Sequence, residues 1–163
     1  MVLACTRWSW IPTAALICAS SATAAQHLDW DVYRDGIYGC RLDYPAALFS
    51  PEARDAGEPQ AFSGPEGIRF RILGLENATR WTPQDIRENF LNDEMPGDIT
   101  YESTRDEFLV LSGYRDDDIF YTRVAVSSDR RVACILDVTY PRALKRQFDA
   151  IITRMSRSFH VNR

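Results

Sequence analysis

Two cysteines and a group of arginines are the residues of this 163-residue chain whose types and spacing can do chemistry. Cys40 and Cys134 stand in matching stretches, "YGCRLDYP" and "VACILDVTYP", in which Cys, one further residue, Leu and Asp precede Tyr-Pro. Such cysteines can form a disulfide, stay buried as thiols, or catalyse redox reactions if their pKa is lowered. No Cys-x-x-Cys motif is present, and nothing nearby is arranged to lower a thiol pKa. We predict a disulfide, with two buried free thiols as the alternative.

The arginines alternate with apolar residues in segments that resemble strands. Period-2 alternation places five candidate binding residues on the face opposite the apolar set: Arg41, Arg69, Arg71, Tyr121 and Arg123. If these strands adjoin, forked guanidinium groups can bind a glycan carboxylate, a phosphate or an acidic protein segment. The alternative is that the arginines form cross-strand ion pairs, with Asp43 and Asp137, on a solvated or helix-covered face.

Several catalytic arrangements are missing from the sequence. After residue 25 the histidines are His27 and His160, at opposite ends, so neither a Ser-His-Asp nor a Cys-His arrangement is expected. The spacing of Cys and His matches no structural zinc pattern, and there is no phosphate loop or dinucleotide fingerprint. We therefore predict no catalytic residues, no metal and no cofactor. Asp116, Asp117 and Asp118 can attract a divalent cation, but we interpret them as hairpin-turn residues.

The first 25 residues resemble a secretory signal peptide. Arg7 precedes an apolar stretch too short to span a bilayer stably, and Ala22-x-Ala24 forms a cleavage signature before Gln26. Lipidation at Cys18 is disfavoured because Ile17 is bulky. We expect residues 26–163 to be the mature protein, periplasmic or secreted by a bacterium, with no stable membrane insertion after cleavage.

Composition limits the partners of residues 26–163. Removing Arg7 lowers the formal net charge from −4 to −5, so no electrostatic attraction to nucleic acid or anionic membrane is expected. The length suits one domain with a single core. Asn77 begins an Asn-x-Thr sequon, which we interpret as coincidental in a bacterial chain.

Hydrophobic patterning predicts an α+β sandwich: a mostly antiparallel six-stranded sheet with two helices, in the order β-β-α-β-β-β-β-α. Residues 26–36 are predicted as an exposed lead-in and residues 46–67 as a surface loop. The first helix starts at a Thr82 cap and buries Ile86 and Phe90. The second helix begins near Pro141, with a buried stripe at helical spacing: Leu144, Phe148, Ile151, Ile152, Met155 and Phe159.

This arrangement resembles the PsbP-like and Mog1-like fold, which includes small exported bacterial proteins of the DcrB type. The residues that carry the resemblance are "YGCRLDYP", the late strand "CILDVTYP", the "LVLSGY…IFYTR" hairpin (109–123) and a last helix that ends at Ser158-Phe159. The resemblance implies an accessory, generally non-enzymatic role and supplies no catalytic residues.

The leading hypothesis is a non-catalytic module that binds an envelope protein or a cell-wall component. One alternative is an inhibitor of a secreted enzyme such as a lysozyme. The other is a carboxylate-based hydrolase, which would need two convergent acids, one of them with a raised pKa.

Overall fold

The computed structural model describes residues 28–55, 58–91 and 97–162. Its strands are β1 (Trp30–Arg34), β2 (Cys40–Pro45), β3 (Ser50–Pro51), β4 (Gln60–Ser63), β5 (Arg69–Glu76), β6 (Asp98–Thr104), β7 (Phe108–Arg115), β8 (Asp118–Val126), β9 (Val132–Pro141) and β10 (His160–Val161). Seven of them form an antiparallel sheet in the order β3-β4-β5-β9-β8-β7-β6, and β1-β2-β10 form a smaller one.

The α+β class and the antiparallel pairing are confirmed, but the single six-stranded sheet is wrong. Residues 26–36 contain β1, and residues 46–67 contain β3 and β4. These strands span five residues or fewer, so an alternating pattern has too few positions to identify them. β1 and β10 acquire their structure by pairing with the two edges of β2, which is a tertiary contact that local sequence does not show.

The second helix, α2 (Lys145–Ser158), covers one face of the molecule. Its apolar stripe packs against β2 and β9, and the predicted burial is confirmed for Phe148, Ile151, Ile152 and Met155. Among the described residues, neither helix has the length and apolar character that crossing a membrane requires.

The first helix, α1 (Pro83–Ile86), begins at the predicted cap. Thr82 Oγ1 accepts a hydrogen bond from the Asp85 backbone N–H, and the Asp85 carboxylate accepts from the Thr82 backbone N–H. The helix then widens into a π-helical turn at Arg87–Leu91.

This π-helical turn makes the predicted burial of Phe90 wrong. A π turn holds one residue more than an α turn, so the position below Ile86 passes from i+4 to i+5. Leu91 is therefore buried, with 5% of its surface exposed, whereas Phe90 points outward with 37% exposed. Ile86 and Leu91 close a second apolar cluster on the sheet face opposite α2.

Cys40 and Cys134 form a disulfide, and both residues are buried. The bond joins β2 of the small sheet to β9 of the large sheet, with 5.8 Å between the Cα atoms. Beside it, Tyr38 lies directly on Gly74, the β5 residue paired with Cys134; a Cβ atom at position 74 would approach the Tyr38 ring to 2.6 Å. The disulfide therefore fastens the two sheets at a close contact.

Candidate functional site

An open cleft lies on the face of the large sheet opposite α2. Its floor is formed by β5 and β9, where Phe70 and Ile72 turn toward α2 and Arg69 and Arg71 turn toward the cleft. The predicted alternation of β5 is therefore confirmed. The cleft, which we call the arginine cleft, has a volume of about 330 Å³. It is lined by Glu52, Ala61, Arg69, Phe70, Arg71, Arg115, Asp137 and Thr139.

The Arg71 side chain is anchored on the floor of the cleft. Its Nε donates to Asp137 Oδ2 at 3.1 Å, and Asp137 lies opposite Arg71 in the β5–β9 register. The other carboxylate oxygen of Asp137 accepts from Thr122 Oγ1 at 2.8 Å. Arg71 is held through one edge of its guanidinium group, and 58% of its side chain is exposed.

Arg69 lies two residues before Arg71 on the same face and is exposed. Its neighbours in the register are Ser63 and Thr139, which carry no charge. No carboxylate within the described ranges forms an ion pair with Arg69. Glu52, at the rim, accepts a hydrogen bond from the Ser63 hydroxyl. The lining of the cleft thus holds three arginines, Arg69, Arg71 and Arg115, and two carboxylates, Glu52 and Asp137, which leaves one net positive charge.

Arg115 is a lining residue that the sequence analysis missed. It ends β7, and its guanidinium carbon lies 5.6 Å from the centre of the Phe120 ring. The sequence contains a pattern that could have identified it: Arg115 continues the period-2 alternation of Leu109 and Leu111, which are buried on this face of the sheet. In the sequence, however, Arg115 directly precedes Asp116, Asp117 and Asp118 and is grouped with them in the predicted polar turn.

An apolar extension adjoins the arginine cleft and has a volume of about 210 Å³. The two spaces share Arg71, Arg115 and Asp137. The remaining lining residues are mostly apolar: Pro59, Leu73, Phe90, Leu91, Thr122 and Ile135. The site is thus charged at one end and apolar at the other.

Arg41 does not belong to this site. It lies on β2 in the small sheet, where its Nη2 is 3.1 Å from Asp43 Oδ1. This pair lies within one strand, whereas the cross-strand ion pair of the alternative interpretation is the one between Arg71 of β5 and Asp137 of β9.

Tyr121 and Arg123 lie on the opposite face of the large sheet, beneath α2. The expectation that they share a surface with Arg69 and Arg71 is wrong, because β8 is covered on both faces and its apolar residues do not identify an outer side. The Tyr121 hydroxyl lies 2.6 Å from Ser156 Oγ, and burial raises the pKa of Tyr121. The Arg123 guanidinium lies 4.0 Å above the Phe108 ring, and burial lowers the pKa of Arg123.

The other polar residues considered as candidates in the sequence form local turns and hydrogen bonds. Asp116 adopts a positive φ of 53° in the β7–β8 turn, and the Asp117 carbonyl accepts from the Arg142 backbone N–H. His160 hydrogen-bonds the Ser158 carbonyl and the Asn162 side chain. Asn77 is 3% exposed and bonds the backbone of Trp81 at both ends of its amide, so it is not presented for modification. His27 lies outside the described residues.

Among the carboxyl groups of the described residues, Asp85 and Asp129 have a pKa that departs from the ordinary value. Both pKa values are lowered, chiefly by side-chain hydrogen bonds from Thr82 and Ser127 respectively. Within the described part of the chain, no group of three or more His, Cys, Asp or Glu side chains could hold a metal ion.

The sheet order, the disposition of α2 and the short helix on the opposite face define a PsbP-like and Mog1-like fold. The chain is similar to cyanobacterial PsbP (CyanoP) from Synechocystis sp. PCC 6803, with a TM-score of 0.62 and 16% identity over 88% of this chain and 99% of that one. It is also similar to the Ran-binding protein Mog1p of Saccharomyces cerevisiae, with a TM-score of 0.57 and 8% identity over 82% of this chain and 96% of that one. No protein-family model matches, and no curated protein matches. At these identities the similarity shows the fold alone.

Proposed function

We propose that this protein is a non-catalytic, exported binding module that recognises an anionic group in the arginine cleft. The single observation that carries the proposal is the side-by-side placement of Arg69 and Arg71 on β5, where only Arg71 forms an ion pair, with Asp137 of β9. One carboxylate oxygen of Asp137 is engaged by Arg71 and the other by Thr122, so Asp137 holds Arg71 in place and forms no ion pair with Arg69. Guanidinium forks at a fixed separation match the oxygens of carboxylates and phosphates.

Export is part of the proposal. The signal-like segment at residues 1–25 and the Cys40–Cys134 disulfide support it, because disulfides form and persist outside the reducing cytosol. The partner is an envelope protein or a cell-wall component that presents a carboxylate or phosphate. An inhibitor of a secreted enzyme such as a lysozyme would use the same cleft to bind a different partner. That function stays a prediction.

The test follows the side-chain Nε–H signals of Arg69 and Arg71 by NMR while acetate or inorganic phosphate is added. We expect both signals to shift with a saturable dependence on anion concentration, and to shift less at high salt. Charge reversal in Arg69→Glu and Arg71→Glu should abolish the response measured on neighbouring backbone amides. Arg157→Glu is the matched control, since Arg157 lies exposed on α2, away from the cleft. An unchanged response in the two cleft variants would refute the proposal.

A further inference from the structure

The chemical class of the ligand can be taken further than its charge, on the basis of the proposed function. The arginine cleft does not end at Arg71 but continues into the apolar extension, which shares three lining residues with it. A ligand that places its anionic group between Arg69 and Arg71 therefore has an apolar surface within reach on one side.

The π-helical turn gives the apolar extension part of its wall. In an uninterrupted α-helix Phe90 would follow Ile86 into the core. The extra residue of the turn instead buries Leu91 and turns Phe90 outward, where it forms part of the wall of the extension. Such turns occur frequently at functional sites. The exposed Phe90 ring is poorly solvated by water, and it lies beside the arginines that line the cleft.

Around Arg69 and Arg71 the floor of the site provides no backbone hydrogen-bonding groups. β5 is paired with β4 from Arg69 to Ile72 and with β9 along its whole length, and β9 and β8 have a paired strand on both sides, so the backbone N–H and C=O groups here are engaged within the sheet. A peptide laid across this floor would leave its own amides without backbone partners, at a free-energy cost. A ligand with one charged end and a hydrocarbon remainder carries no such cost.

We propose that the site binds a single-headed amphiphile. Its carboxylate or phosphate lies between Arg69 and Arg71, and its alkyl or aryl chain lies along Leu73, Phe90 and Ile135. The cleft and its extension, at about 330 and 210 Å³, together fall in the range of small-molecule sites. The charged end sets orientation, and the length of the chain sets affinity.

The test uses isothermal titration of the purified protein with acetate, butyrate, octanoate, octyl phosphate, octanol and a hexaglutamate peptide. Each buried methylene should strengthen binding about fourfold, so octanoate should bind at least tenfold more tightly than butyrate. Either preference between octanoate and octyl phosphate supports the proposal and identifies the head group. Octanol should bind far more weakly than octanoate, because it has no charge for Arg69 and Arg71.

Two variants separate the contributions. Phe90→Ser should reduce the octanoate-to-butyrate ratio to near unity while acetate binding is unchanged. Tyr101→Ser, at another exposed ring but on the α2 side of the large sheet, should preserve the ratio. Arg69→Gln combined with Arg71→Gln should abolish binding of every anion. Thermal unfolding of each variant controls for folding.

The outcomes distinguish this inference from the proposed function. If acetate and octanoate bind equally, or if Phe90→Ser leaves the ratio intact, the amphiphile is overturned and arginine-dependent anion binding survives. If no anion binds at any chain length, both proposals are refuted. If hexaglutamate binds more tightly than octanoate, the ligand is a peptide and the amphiphile proposal is overturned. If octanol binds as tightly as octanoate, the amphiphile proposal is overturned as well, because the charged group then contributes nothing.

Discussion

Arg71 and Asp137 face each other across the β5–β9 pair, with 3.1 Å between Arg71 Nε and Asp137 Oδ2. The carboxylate is also bonded to Thr122, so it is fixed from two strands and can hold the guanidinium group in one orientation. Asp137 thus has two opposite effects on an anionic ligand: it orders Arg71, and it repels the ligand.

Replacing Asp137 with Asn should strengthen anion binding. The amide preserves the shape of the side chain and removes one negative charge from the cleft. A unit charge about 4 Å away in water contributes about 1 kcal/mol, so we expect about fivefold tighter binding of octanoate at low salt. Titration calorimetry measures the change, and Asp43→Asn, in the small sheet, is the matched control. A weaker affinity in Asp137→Asn would show that orienting Arg71 outweighs the repulsion.

Phe90 and Leu91 should respond oppositely to truncation, because the π-helical turn exposes one and buries the other. Phe90→Ala should change the free energy of unfolding by about 0.5 kcal/mol or less, as expected for a surface position. Leu91→Ala should lower it by about 2–5 kcal/mol, because it creates a cavity beneath Ile86. Urea unfolding of both variants provides the comparison. Equal losses would contradict the register of the turn.

Breaking the disulfide should destabilise the protein strongly. Cys40 and Cys134 are 94 residues apart, and the chain-entropy model gives about 4–5 kcal/mol for closing a loop of that length. We expect the Cys40→Ala/Cys134→Ala variant to unfold at a much lower urea concentration than the oxidised protein. Added reductant should destabilise the wild type and leave the double variant unchanged. Alkylation of denatured, unreduced protein at either cysteine would contradict the bond.

Tyr140 should make stability fall in alkaline solution. Burial, aided by Asp149 and neighbouring tyrosines, raises the pKa of Tyr140 from 10.0 to about 12 in the folded state. The folded protein therefore retains a proton that the unfolded chain releases. The resulting stabilisation is complete below pH 10 and is lost as the pH rises toward 12. Urea unfolding across this interval should show a shallower decline in Tyr140→Phe than in the wild type.

Prediction from sequence succeeded where one face of a strand is buried and the other is not. β5 is such a strand, and its alternation placed Arg69 and Arg71 correctly. β2 is another, and its alternation turns Cys40 inward as predicted. The sequence could not show that Cys40 and Cys134 belong to different sheets.

Prediction from sequence failed where the burial of a strand does not alternate and where one helical turn departs from ideal geometry. β8 is covered on both faces, so the side on which Tyr121 and Arg123 lie is decided by its partners β7 and β9. The exposure of Phe90 depends on one extra residue in a helical turn, which a helical periodicity of 3.6 does not encode. Half of the candidate site could therefore be predicted, and the apolar half could not.

The small sheet has a consequence for the order in which the molecule assembles. β10 pairs with β2 across more than a hundred residues, and Cys40 precedes its bonding partner by 94. A chain delivered from its N-terminal end presents β2 and the Cys40 thiol long before either partner arrives, and such distant pairings form slowly. During export as proposed above, Cys40 can meanwhile form mixed disulfides with other thiols, so we expect the yield of correctly closed protein to depend on how quickly residues 41–134 follow it.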